Sequence, residues 1–317
     1  MSNIGVIFPG QGSQAVGMGA DVAEHFPASR ECFEKASDVL GYDLQALTSS
    51  ASPEELKETR VSQPAIFTAN VAIYRAVETL GFTPCVSAGH SFGEYCSLTI
   101  AGALDFSEAV RIVNERGQSM GHAADITPGT MAAIIGLPEN RVDDVCARAR
   151  AETGGRVEIG NLNTPEQIVV SGDTASVEAA CRIAKDDGAK RVRVLNVSGA
   201  WHSELMQPAM PRFSRAVESA QLRMPAFTVI SNVSAQPYTS IDEIRRCLLA
   251  SVCARVRWHD TATALVAVRP DIIIECGASE VLAPMMKRLP QLDGIKVVHV
   301  ADSSAVDKLR TAAAAGV

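Results

Sequence analysis

Short apolar runs of about four to eight residues alternate with longer helical patterns along almost the whole chain, and this rhythm restricts the fold more than any other feature. Strands separated by helices cannot be joined as hairpins. They need crossover connections, which give a mainly parallel sheet covered on both faces. The strand-like runs are 4–8, Pro84 to Ala88, Thr228–Ser231, Ile272–Glu275 and Lys296–His299. Helical patterns run near 28–40, 53–58 and 63–80, after Ser91, and from an expected N-cap at Ser107, with Glu108 in the first turn, to about Met120. Further helices are expected over 203–220, 240–253, 258–267 and 279–289, with an Ala-rich helix closing the chain.

Between these lies a stretch with its own order. Strand Met131–Ile135, helix 139–151, strands Val157–Asn161 and Ile168–Ser171 around the turn Asn163-Thr164-Pro165, helix 174–187 and strand Arg191–Leu195 make a β-α-β-β-α-β unit of ferredoxin-like type. A chain of 317 residues has room for a large body and a small one. The expectation is therefore an α/β fold in which residues 128–196 form a small inserted subdomain and residues 1–127 and 197–317 the larger one. Pro128-Gly129 and Asn196 would be the hinges.

Composition excludes several functions. The net charge of −7 leaves no basic footprint for nucleic acid. No run approaches the roughly 18 apolar residues that span a bilayer, and the start of the sequence lacks the pattern of a secretory signal, so a cytoplasmic protein is expected. Eight cysteines (Cys32, Cys85, Cys96, Cys146, Cys181, Cys247, Cys253 and Cys276) form no CxxC pair and sit mostly in apolar segments. They read as buried, reduced thiols. Cysteine and histidine are not clustered, so no metal site is expected.

The sharpest local signal is Gly89-His90-Ser91-Phe92-Gly93, a GxSxG between a strand and a helix. That context makes a nucleophile elbow, in which a tight turn presents the serine at the sheet edge over a helix N-terminus. The Phe92 amide then points toward an oxyanion, helped by the helix dipole. A hydroxyl of ordinary pKa needs a base. Among six histidines, His202 lies on a loop that leads from a strand toward a helix and can reach that edge. His90 adjoins the serine but faces the other way across the turn. His25, His259 and His299 read as surface or packing residues. These residues alone leave the base unassigned.

Four motifs taken together resemble one family. Phe8-Pro9-Gly10-Gln11-Gly12-Ser13-Gln14, Gly89 to Tyr95, Glu115-Arg116-Gly117 and Val197-Ser198-Gly199-Ala200-Trp201-His202-Ser203 are similar, in order and spacing, to those of malonyl-CoA:acyl carrier protein transacylases and the related polyketide synthase acyltransferases. The resemblance covers nearly the whole chain. It implies an α/β-hydrolase-like body with an inserted ferredoxin-like subdomain, Ser91 as nucleophile, His202 as base, the amides of Gln11 and Phe92 as oxyanion hole, and Arg116 as the ligand of the malonyl carboxylate. A guanidinium fork suits that last role, and a buried unpaired arginine disfavours neutral acyl groups.

The resemblance further implies malonyl-CoA as substrate, a phosphopantetheinylated acyl carrier protein as partner, no cofactor and a monomer. Trp201, bulky and next to His202, would leave little room for an α-methyl group. The sequence departs from the family at several points. Phe92 stands where leucine is common. Ser251 takes the place of the glutamine whose main-chain carbonyl orients the histidine, Arg255 stands where proline is expected, and Gly277-Ala278-Ser279 replaces Gly-Pro-Gly. These departures lean toward a specialised acyltransferase over the housekeeping fatty-acid enzyme. A thioester hydrolase of the same family, or a transferase of a different acyl group, is the competing expectation. Lys190, Arg191, Lys287 and Arg288 are candidate cations for an acidic carrier protein.

Overall fold

A computed structural model describes residues 3–314; the sequence reading of Met1 and Ser2 lies outside them. The strands are β1 (Asn3–Phe8), β2 (Thr83–Gly89), β3 (Thr130–Ile135), β4 (Val157–Thr164), β5 (Gln167–Gly172), β6 (Arg191–Val194), β7 (Thr228–Val229), β8 (Ile272–Cys276) and β9 (Lys296–Val300). Five of them form a sheet in the order β7-β2-β1-β8-β9, with every neighbour parallel. Its central strand buries Ile4, Val6, Ile7 and Phe8 completely, as a parallel sheet covered on both faces requires. Separate apolar clusters fill the two faces.

The helices on this sheet follow their capping chemistry. Pro27–Leu40 starts on proline at its first turn and stops at Gly41, whose φ of 77° needs no side chain. Phe106–Ile126 is capped two residues before the expected Ser107. The Asp105 carboxylate accepts from the amides of Ser107 and Glu108. The helix also runs past Met120, because its buried stripe continues through Ala123 and Ala124.

Other expectations also needed correction. The 203–220 helix is a 3-10 turn, Glu204–Ala209, followed by an α-helix, Met210–Glu218, since Pro208 breaks the hydrogen-bond ladder. The 279–289 helix shrinks to Ala283–Met286. The Glu275 carboxylate takes the amides of Val281, Leu282 and Ala283 and sets a late start. Residues 53–58 make only a 3-10 turn, Glu55–Lys57. Two helices went unread: Ala20–His25, and Leu44–Ser50, whose cap is Asp43.

The second sheet has the order β4-β5-β3-β6 and is wholly antiparallel. Helices Glu139–Thr153 and Thr174–Asp186 cover one face with a core of their own, built on Ile134, Val142, Val145, Val170 and Val177. β4 runs three residues beyond its expected end, so Asn163 and Thr164 are strand and the turn falls at Pro165-Glu166. On the opposite face, Met131, Ala133 and Val169 join the core of the larger sheet beside Trp201. Two main-chain bonds of 2.8 Å, Leu162 N–H to Val256 and Val256 N–H to Gly160, tie β4 to the loop before helix Trp258–Ala267. A cleft remains between the two sheets.

Candidate active site

The cleft is about 550 Å³ in volume, and Ser91 stands on its floor. β2 delivers the chain to Gly89, and helix Gly93–Ile100 begins four residues later. Ser91 holds a φ of 55°, a conformation non-glycine residues rarely adopt and one a nucleophile elbow demands. Close packing accounts for the surrounding glycines. A Cβ on Gly89 would strike the backbone of Gly93, and one on Gly93 would strike the carbonyl of Phe8. A Cβ on Gly10 would lie 2.6 Å from the His90 carbonyl. The GxSxG and Phe8-Pro9-Gly10 segments thus press against each other, pinned by a 2.9 Å bond from His90 N–H to the Phe8 carbonyl.

The structure brings His202 to the serine across 111 positions of sequence, with Ser91 Oγ 2.8 Å from His202 Nε2. On the ring's other side, Nδ1 lies 2.9 Å from the main-chain oxygen of Ser251. A carbonyl only accepts, so Nδ1 carries the proton and Nε2 is left to receive one. The Ser251 hydroxyl plays no part in this and donates to Leu248 instead. His202 itself has a φ of 59° and is buried. Desolvation first, then the charge of Arg116, pushes its pKa down to about 3, so the resting imidazole is neutral.

Arg116, on helix Phe106–Ile126, is 1% exposed and has no carboxylate partner among the described residues. Nη1 donates to Gln63 Oε1 at 2.9 Å and Nη2 to Ser91 Oγ at 3.3 Å, while Nε has no partner. An unpaired buried cation one hydrogen bond from the Ser91 hydroxyl leaves a place for an anion. Burial also lowers its pKa. Its neighbour Arg111 instead reaches Glu108 and lies half-exposed, as a surface pair. Gln11 and Phe92 line the same cleft, and their amides have no partner among the described residues. The Gln11 side chain is held by the Lys57 carbonyl and by Thr59.

Residues 6–310 match the model of the acyl transferase domain family. The malonyl CoA-acyl carrier protein transacylase of Bacillus subtilis is 38% identical over 307 residues, covering 97% of this chain and 96% of the relative. The structure of the malonyl CoA-acyl carrier protein transacylase of Coxiella burnetii superposes with a TM-score of 0.92 at 37% identity, covering 98% of this chain and 97% of the other. The chain belongs to the malonyl CoA-acyl carrier protein transacylases, within the acyl transferase domain family. A malonyl-transacylase solved in complex with a type II PKS acyl-carrier protein is similar to the same degree, with a TM-score of 0.92 and 37% identity over 98% of this chain and 99% of that one.

Several residues that the four motifs do not single out also contact the site of this transacylase. Asn232 accepts from Ser91 N–H and is itself held by the buried Glu94. Glu94 directly follows the GxSxG and was quoted only as part of the motif; Asn232 carries no local signal. Gln63, which fixes Arg116, hides in the buried centre of helix Thr59–Glu78. His90 turns away from the serine, as read, to Asn163 Oδ1 at 2.9 Å, and packs against Trp258 with ring centroids 5.8 Å apart.

Trp201 lines the cleft and is 5% exposed, with its indole N–H unpartnered. Both its packing and its site positions are therefore real. Arg255, in the loop before helix Trp258–Ala267, pairs with Glu139 at the start of helix Glu139–Thr153 at 2.8 Å. Of the four cations considered for a carrier protein, Lys190 pairs with Glu166 at 3.1 Å and Lys287 with Glu280 at 3.2 Å. Arg193, next but one to Arg191 on β6, lies at the cleft instead. All eight cysteines are free. Among the described residues, no group of three or more His, Cys, Asp or Glu side chains could hold a metal, and no helix is long and apolar enough to cross a membrane.

Proposed function

We propose that this chain transfers a malonyl group from malonyl-CoA to the phosphopantetheine thiol of an acyl carrier protein through an acyl-Ser91 ester. One observation carries the reading of the substrate: Arg116 is buried and unpaired, 3.3 Å from Ser91 Oγ. A carboxylate held there must belong to a short acyl chain, because the guanidinium and the nucleophile are neighbours. Neutral acyl groups leave the charge unpaired and lose the difference.

His202 Nε2 takes the Ser91 proton as Oγ attacks the thioester carbonyl. The developing oxyanion is received by the amides of Gln11 and Phe92, each donor contributing on the order of 10²–10³ in rate. The tetrahedral species collapses, and His202 returns the proton to the departing CoA sulfur. The carrier protein's thiol then gives its proton to His202 and attacks the ester by the same route in reverse. Ser251 serves through its carbonyl, which holds the imidazole in the productive tautomer. Trp201 narrows the acyl pocket against an α-methyl branch.

The reaction needs no metal or cofactor. The protein works as a monomer in the cytoplasm, where its free thiols stay reduced. The supporting frame is an α/β-hydrolase-like body, residues 1–127 and 197–317, and a ferredoxin-like subdomain, residues 128–196. The parallel five-stranded order and the separate core of the antiparallel sheet favour that division.

Intact-mass analysis after incubation with malonyl-CoA tests the proposal. Wild type should gain one malonyl unit and lose it to a holo carrier protein, and Ser91→Ala should gain nothing. Label on Ser91→Ala removes the assignment. Release of free malonate in preference to transfer makes the chain a hydrolase.

A further inference from the structure

The elbow's own hydrogen bonds hold the left-handed backbone of Ser91 only at its carbonyl, through Glu94 N–H at 3.1 Å, and do not reach its N–H. Asn232, 1% exposed and 141 residues away, does. Its Oδ1 accepts from Ser91 N–H at 3.1 Å, and its Nδ2 donates to the carbonyls of Gly89 at 2.7 Å and Ser91 at 3.2 Å. One amide therefore grips both sides of the turn. Its use depends on which way the amide faces. Reversed, the NH₂ group would meet the Ser91 N–H, donor against donor.

Glu94 removes that choice. It is 1% exposed, and its Oε2 accepts from Asn232 Nδ2 at 3.0 Å while Oε1 accepts from Asn232 N–H at 3.2 Å and from the Tyr238 hydroxyl at 2.6 Å. Burial pushes the Glu94 pKa up, and the donors of Tyr238 and Asn232 around it act the other way; as a carboxylate it accepts only, so with the Gly89 and Ser91 carbonyls it turns the amide nitrogen inward and the amide oxygen to the serine. We propose that Asn232, oriented by Glu94, is a positioning residue for the nucleophile: the pair holds the Ser91 backbone where Oγ meets His202 Nε2. Tyr238 completes the carboxylate's hydrogen bonds from the far side. The pair bonds the Ser91 main chain but neither Arg116 nor Gln63, and it does not line the cleft, so it acts on the rate of serine attack and leaves anion binding alone.

The inference rests on Ser91 being the nucleophile and is independent of which acyl group it takes. A fluorophosphonate probe, which labels an activated serine regardless of acyl specificity, keeps the two separate. If wild type takes the probe but never malonyl-CoA, the substrate proposal fails and the clamp remains testable. Glu94→Gln supplies N–H donors where only acceptors fit, and should slow labelling about a hundredfold, the cost of a misplacement near 1 Å. Asn232→Asp alone should slow labelling at least as much, since its second oxygen would face the carbonyls of Gly89 and Ser91 to which Nδ2 now donates. Wild-type labelling in Glu94→Gln or in Asn232→Asp overturns the proposal. Asn232→Ala, a neutral truncation, serves as a second line. It should lower kcat for malonyl transfer about a hundredfold with KM unchanged. A raised KM with intact kcat would mean that Asn232 supports binding and the clamp is wrong.

Discussion

Truncating Arg116 to alanine should convert a malonyl-selective site into one that no longer discriminates by charge. The guanidinium has no carboxylate partner, and two of its three nitrogens are engaged, by Gln63 and by Ser91. A malonyl carboxylate would gain two charge-assisted bonds from the fork, each contributing about 1.5–3 kcal/mol. Their loss, about 3–6 kcal/mol, corresponds to roughly 10²–10⁴-fold in kcat/KM for malonyl-CoA. Acetyl-CoA forms neither bond and in the wild type must leave a buried cation unsatisfied, so its rate should hold steady or rise. Arg116→Met keeps the stem's volume and should behave alike, which separates charge from the cavity that alanine leaves. The assay is rapid-quench acylation read by intact mass, with malonyl-CoA and acetyl-CoA in parallel. Equal falls for the two substrates in both variants would refute the carboxylate role.

Three smaller perturbations follow from the same geometry. Ser251→Ala keeps the carbonyl that holds His202 Nδ1 and removes only the hydroxyl bond to Leu248, so stability should drop by about 1 kcal/mol with acylation unchanged; a large rate loss would show that the side chain matters. Gly93→Ala forces a methyl against the Phe8 carbonyl and should cost about 1–3 kcal/mol in urea denaturation while abolishing fluorophosphonate labelling. The pH profile of that labelling should lack the ordinary histidine limb near 6.5, because burial and Arg116 hold His202 toward 3. Protonation then removes the base only in strong acid. Arg116→Ala deletes a like charge, so its acid limb should move up in pH, and an unmoved limb would show that Arg116 does not act on His202.

What the sequence disclosed and what it withheld divide along one physical line. Signals confined to a few neighbouring residues were readable: the strand–GxSxG–helix turn, the β-α-β-β-α-β rhythm and the free thiols. Helix ends were misplaced even where nearby side chains set them, because the fold decides which of several candidates takes the terminal amides. The Glu275 carboxylate delays one helix by capturing three amides. Pro208 splits another helical pattern, because it has no N–H for the ladder. The Ser107 cap lost to Asp105, whose side chain was equally visible and whose carboxylate accepts from two amides.

The site shows the same division more sharply. Ser91 announces itself because a tight turn imposes glycines on either side. His202 needed the company of three other motifs, because a base is defined by a 2.8 Å contact that spans 111 residues. Asn232 left no trace at all, since an asparagine in Ser231-Asn232-Val233 reads as one more turn residue. It matters only because the fold sets its amide against a serine N–H that the turn itself leaves unpaired. On the proposed mechanism the chemistry of this cleft also depends on main-chain groups, for which side-chain identity carries little information: the Ser251 carbonyl and the Gln11 and Phe92 amides. Substitution at such positions survives when the main chain is unmoved. That is why serine can stand at position 251 where the family has glutamine, and why Arg116, whose role depends on its side-chain charge, should tolerate no exchange.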